Sequence, residues 1–226
     1  MSDVVWHCFD PSADLSQSQR NLPHWDQSGA VTFVTARLDD SMPRVVVERW
    51  HAEQIQWLRD NGHPHPDGQT FLADRSVPSA VRQRFRKFRG RRWMAELDRC
   101  HGGCFLRRPE LADEVAATFH HFDGERYDLD RFVIMPNHFH VLVQMRRPWS
   151  LTKQLTSWNH YSAARINRRL GRTGTLWRAE AFDHVVRNES QFGYLRRYVR
   201  ENPIKGRVPD GQFLFWSRET GTVRTK

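Results

Sequence analysis

Two imidazoles stand two positions apart in His138-Phe139-His140. In a strand, alternate side chains share a face, so both histidines would project together while Phe139 points to the other side. Such a pair can share one divalent cation, and can equally sit satisfied in a core. Further along, Tyr194, Tyr198 and Asn202 recur every four residues, which aligns them on one stripe of a helix. A phenol one turn from a carboxamide suits metal-assisted phosphoryl transfer to tyrosine: the Asn202 oxygen could join the histidines while the Tyr198 oxygen attacks phosphorus. The same stripe would also serve simply to bury two tyrosines, with Asn202 capping the helix before Pro203. Tyr194 and Tyr161 are rival phenols. With an ordinary pKa of about 10, a tyrosine is mostly neutral at pH 7 and needs activation. His184 in FDHVVR is a candidate base and equally an ordinary structural histidine.

Those groups need a scaffold. YDLDRFVIMP (127–136) and HFHVLVQM (138–145) read as two strands joined at a Pro-Asn corner, and AVTFVTARL (30–38) as a third by its β-branched and aromatic content. The spacing of Trp50, Ile55, Trp57 and Leu58 predicts a helix ending at Gly62, and a second, basic helix runs over Ser79–Asp98. Pro109 opens another that ends at Gly124. Leu151, Leu155, Trp158, Ala163, Ile166 and Leu170 mark a helix stopped by Gly171. The final helix spans 190–202, with Ser190 as N-cap and Pro203 terminating it. Strands and helices mix without a regular βαβ rhythm, which predicts an α+β fold with a mainly antiparallel sheet and helices packed on it.

Of 226 residues, 35 are Lys or Arg and 26 Asp or Glu. Up to Met145 there are 18 cations against 20 anions, and beyond it 17 against 6. The excess is therefore local, and suits a polyanion lying along the C-terminal part. A second cluster, Arg82–Arg92, packs seven cations into eleven residues with Phe85 and Phe88 interleaved, which suits phosphate contacts and base stacking or a solvated helix face over two buried rings. No apolar run reaches the length of a membrane span and no signal-peptide pattern opens the chain, so the expected location is cytoplasmic. Cys8, Cys100 and Cys104 suit reduced thiols, and CHGGC reads as a tight Gly-Gly turn, since no fourth zinc ligand follows. No GxxxxGK loop is present, so no nucleotide is called for.

In order along the chain, NLPHW, VTFVTARL, MPNHFHVLV, LWRAEAFDHVVRN and YVRENP resemble the REP-associated tyrosine transposases of the single-tyrosine HUH superfamily, over most of residues 20–208. The resemblance implies a ferredoxin/RRM-like HUH endonuclease core at 29–208, with an N-terminal arm at 1–28, a helical basic insertion at about 40–105 and a C-terminal tail at 209–226. It implies Tyr198 as nucleophile, and His138, His140 and Asn202 as ligands of Mg²⁺ or Mn²⁺. Cleavage and rejoining of single-stranded DNA would then pass through a 5′-phosphotyrosine. The implied partner is a single strand carrying hairpin or palindromic repeats, met at the nucleoid, with the protein a monomer or homodimer. Arg165, Arg168, Arg169, Arg178, Arg187, Arg196, Arg197 and Arg200 are the expected DNA contacts. Two other readings stay open: a non-cleaving DNA- or RNA-binding protein, and a metal phosphodiesterase that uses water.

Overall fold

The structure is a computed structural model that describes residues 4–13, 16–19 and 23–223. In chain order the elements are β1 (Ser16–Gln19), β2 (Pro23–Asp26), β3 (Val31–Arg37), α1 (Arg44–Asp60), α2 (Gly68–Ala73), α3 (Ser79–Asp98), α4 (Pro109–His120), β4 (Tyr127–Ile134), β5 (His138–Met145), α5 (Leu151–Leu170), β6 (Phe182–Val185), α6 (Glu189–Lys205), β7 (Leu214–Ser217) and β8 (Gly221–Val223). They fall into two compact units. One is drawn from the residues up to Asp39 and from Cys104 onward; the other is Asp40–Gly103. No described helix is long and apolar enough to cross a membrane.

The larger unit is α+β. Its six strands are ordered β6-β3-β5-β4-β7-β8, every neighbour antiparallel. Within it β3, α4, β4, β5, α5 and β6 follow the β-α-β-β-α-β pattern of ferredoxin-like folds. The strict alternation of β5 explains why the sheet is covered on both faces. Phe139, Val141 and Val143 join Val34, Ala36, Phe119, Trp158 and Ile166 in the core under α4 and α5. Leu142 joins Phe33, Val133, Phe192, Leu195 and Val199 in the core under α6. Every residue of β4 and β5 is buried, the charged Asp128, Asp130 and Arg131 included.

Several boundaries differ from the sequence reading, each for a local reason. Asn188, not Ser190, caps α6, because its side-chain oxygen accepts the Gln191 N–H at 2.9 Å. Pro203 lies inside that helix: one lost N–H near the end is tolerated, and Gly206 N–H still reaches Asn202 O at 2.8 Å. The helix after Pro109 ends at His120, and a turn carries the chain to Gly124. Gly171, in the left-handed region at φ 62°, does stop α5. The stretch read as a tail, 209–226, contains β7 and β8 in its described part, 209–223, with Leu214 and Phe215 buried. The described part of the N-terminal stretch makes backbone hydrogen bonds to the sheet. His7 O accepts from Val31 N–H and Phe9 N–H donates to Val186 O, both at 2.7 Å, and β1 pairs with β2.

The smaller unit is helical. Phe85 of α3 is buried with Phe71 and Leu58, and its ring lies 5.2 Å from Trp57 and 5.1 Å from Phe71. Phe88 stacks on Trp57 at 5.7 Å, so both interleaved phenylalanines serve the unit's own core. Gly68 is required by this close packing, since a Cβ there would meet Gln54 Oε1 at 2.6 Å and Phe85 Cζ at 2.7 Å. Part of the α3 charge is answered locally: Arg92 makes a bidentate pair with Glu53 at 2.6 and 2.7 Å, and Arg89 lies over the Trp50 ring at 5.2 Å. His101 Nε2 is 3.1 Å from Glu96, and the three cysteines form no disulfide.

Candidate active site

A tight corner begins the site. Met135 N–H donates to His138 O at 2.8 Å across Pro136-Asn137, so β5 starts at His138 with its side chain turned toward the α6 side. His140 follows on the same face, and Phe139 packs on the other against Phe119 and Trp177 at 4.9 and 5.2 Å. Both imidazoles are fully buried, and their Nε2 atoms lie 3.2 Å apart.

Each ring is held through its other nitrogen. His138 Nδ1 is 2.7 Å from Asn137 Oδ1, which can only accept, so Nδ1 carries the proton and Nε2 presents a lone pair. His140 Nδ1 is 2.7 Å from the Thr35 hydroxyl on β3, and its ring stacks on Phe33 at 5.3 Å. Burial pushes His138 down to about 3, against an interaction with the Asn202 side chain that raises it. Burial and the neighbouring His138 push His140 well below its ordinary value. Two neutral rings are the protonation state that metal ligation requires.

The last helix completes the group. Its apolar stripe, Phe192, Leu195 and Val199, packs onto the sheet and turns Tyr198 and Asn202 inward. The Tyr198 hydroxyl lies 3.5 Å from His140 Nε2, and the two rings meet edge to face at 5.2 Å. Asn202 is fully buried and its side chain interacts with His138. Ligands about 2.1 Å from one octahedral ion and at right angles to each other would stand roughly 3 Å apart. The Nε2 separation and the two-nitrogen, one-oxygen donor set fit a divalent cation of that kind.

Among the sequence candidates, His138, His140, Tyr198 and Asn202 come together. Tyr194 is exposed one turn before Tyr198 and stacks beside it at 6.5 Å, whereas Tyr161 is on α5, across the sheet. His184 is half-buried on β6 with its Nε2 2.8 Å from the Gln191 side chain, and burial lowers its pKa. The arginines divide. Arg187, Arg197 and Arg200 are exposed at or on α6. Arg178 is exposed and pairs with Asp39 at 3.0 Å. Arg196 is engaged with buried Asp130 at 2.5 Å. Arg165, Arg168 and Arg169 are on α5, where Arg165 and Arg169 both hold the buried Glu114. Thr35, Asn137 and Phe33 were not foreseen as site residues. The Pro-Asn corner hinted at Asn137, but Thr35 depends on strand register, which no local pattern carries.

Residues 107–202 match the family described as "Transposase IS200 like", a stretch that takes in His138, His140, Tyr198 and ends on Asn202. Over that stretch the chain is similar to IS200-like transposases. The match supports the resemblance read from the motifs. No curated protein matches the chain. Among solved structures, it is similar to a REP-associated tyrosine transposase bound to a REP hairpin, at 11% identity and a TM-score of 0.42, over 84% of this chain and 73% of that one.

Proposed function

We propose that this protein is a transposase that cleaves and rejoins single-stranded DNA through a covalent link between Tyr198 and a 5′ phosphate. The observation that carries the reading is the meeting, within one chain, of the Tyr198 hydroxyl with His140, of His140 with His138, and of His138 with Asn202. His138, His140 and Asn202 would hold Mg²⁺ or Mn²⁺. When bound, such an ion supplies Lewis-acid polarisation of a phosphate oxygen.

The chain's own residues do the rest. Thr35 and Asn137 fix the imidazoles so that their lone pairs face one point. The packing of α6 holds the Tyr198 oxygen beside that point, where a phosphate would present phosphorus to it. The phenol gives up its proton to solvent, its oxygen bonds to phosphorus, and the bond to the 3′ oxygen breaks, that oxygen taking a proton from solvent to become a 3′-hydroxyl. The phosphotyrosyl ester keeps the energy of the diester, so attack by another 3′-hydroxyl rejoins strands and frees the phenol. Because Tyr198 meets His140 of its own chain, no second subunit is needed to supply the nucleophile. A hairpin-bearing substrate is what the motif resemblance implies, and the exposed Arg187, Arg197 and Arg200 would grip its backbone.

The test is a denaturing gel of labelled single-stranded oligonucleotides carrying hairpin-forming repeats, incubated with the protein and Mn²⁺. A protein-shifted band is expected from the wild type and none from Tyr198→Phe. Cleavage with no shifted band would favour a water-using phosphodiesterase, and binding with no cleavage a domesticated binder. A band that survives in Tyr198→Phe would overturn the nucleophile.

A further inference from the structure

Aromatic rings run in an unbroken line across the α6 side of the sheet. Phe182 on β6 meets Phe33 at 6.5 Å, Phe33 stacks on His140 at 5.3 Å and meets Tyr198 at 5.9 Å, and Tyr198 stacks with Tyr194 at 6.5 Å. The inner members are covered, with Phe33 4% exposed and His140 fully buried. The two ends are not: Phe182 is 48% and Tyr194 56% exposed. Register explains Phe182, which pairs with Thr35, the residue that holds His140, on a strand that forms one edge of the six-stranded sheet. Helical spacing explains Tyr194, one turn before Tyr198.

Exposed rings scattered singly need no explanation, but these two are the open ends of a stack whose middle contains the candidate nucleophile. An exposed cation accompanies Tyr194: Arg197 lies one turn after it, and so shares its side of the helix. A flat ring beside a cation is what an unpaired nucleotide requires, the base lying on the ring and its phosphate on the guanidinium. A base inside a duplex has no free face to offer. We propose that Phe182 and Tyr194 are stacking platforms for unpaired bases on the two sides of the Tyr198 site. This rests on the proposed function and extends it, by assigning the groups that hold single-stranded substrate across the reacting position.

The test separates stacking from charge and from chemistry. Full-length protein carrying Tyr198→Phe, which cannot form the adduct, is titrated with a labelled dT oligomer and with an abasic oligomer of the same length and charge. Phe182→Ala and Tyr194→Ala are each expected to weaken dT binding roughly 5- to 100-fold and to leave abasic binding unchanged. Phe182→Tyr and Tyr194→Phe, which keep a ring, should bind dT as the parent does and serve as folding controls. Equal losses on both oligomers, or no loss on dT, would overturn the proposal. Absence of an adduct from the wild type, read on the separate gel, would overturn the chemistry and not the stacking.

Discussion

Arg196 offers the sharpest separation between holding DNA and holding the tyrosine helix. Its guanidinium makes two bonds to Asp130, at 2.5 and 3.1 Å, and lies 4.2 Å from the Phe192 ring centre. Asp130 is buried at the irregularity between Leu129 and Arg131 in β4, and it also takes a bond from Arg131 at 2.9 Å. Replacing Asp130 with Ala strands buried Arg131 with only the exposed Glu219 at 3.3 Å, which should cost about 3–5 kcal/mol. Replacing Arg196 with Ala leaves Asp130 answered by Arg131. Since the Arg196 side chain is 26% exposed, solvent screens part of the pair, and the loss should be only about 1–2 kcal/mol. The deciding assay is the slope of log affinity against log salt for single-stranded DNA. One phosphate contact contributes about 0.7 to it. Arg197→Ala and Arg200→Ala should each flatten the slope by about that amount, while Arg196→Ala leaves it unchanged and slows adduct formation. A flattened slope in Arg196→Ala, with unfolding unaffected, would refute the clamp and return Arg196 to the DNA contacts.

Three further outcomes follow from the buried groups. Thr35→Val leaves buried His140 Nδ1 without its 2.7 Å partner, and should destabilise the fold by about 1–3 kcal/mol and weaken Mn²⁺ binding about 10- to 100-fold, measured by urea unfolding and calorimetry. Phe139→Ala empties a buried position between Phe119 and Trp177 and should cost about 3–5 kcal/mol; a loss under about 1 kcal/mol would mean that this core does not anchor β5. His138 sits at about 3 when folded and near 6.5 when unfolded, so below pH 6.5 the unfolded chain binds the extra proton. In chelator, stability should therefore be full above pH 6.5 and fall by about 1.4 kcal/mol per pH unit from this residue on acidification toward 3, and a His138→Gln variant should show a shallower dependence.

The part of the site carried by local pattern was legible. Alternation along 138–145 put both imidazoles on one face and Phe139 on the other, and the four-residue recurrence of Tyr194, Tyr198 and Asn202 aligned them on a helix. What was hidden depends on pairings between distant segments. Thr35 reaches His140 only because Val31–Arg37 pairs with β5 in one register, and the Asp130–Arg196 clamp joins positions 66 residues apart. Charge counting is blind to pairing for a related reason: Arg165, Arg169 and Arg196 add to the basic excess, yet each is answered by a buried carboxylate. The sequence left Phe85 and Phe88 open between base stacking and burial, and the contacts with Trp57 and Phe71 favour burial. The β7–β8 hairpin escaped because short strands at a chain end carry little periodicity.

Burying His138, His140 and Asn202 together ties ion binding to the stability of the fold. Neutral rings whose Nδ1 atoms are already occupied cost less to desolvate than charged ones, but two Nε2 atoms 3.2 Å apart still forgo water. An ion bound between them as proposed stabilises only the folded chain, because the three donors are scattered when it unfolds. At a free concentration 100 times its dissociation constant the ion should add about 2.7 kcal/mol. For a chain of 226 residues that corresponds to a rise in the thermal midpoint of roughly 5–11 °C. Mn²⁺ should thus raise the wild-type midpoint in a concentration-dependent way, and His140→Ala or Asn202→Ala should blunt the rise. Tyr198→Phe should keep it in full, since the phenol is no part of the donor set. A midpoint indifferent to Mn²⁺ in the wild type, or equally raised in all four proteins, would place the ion elsewhere and leave the histidine pair a structural feature of the sheet.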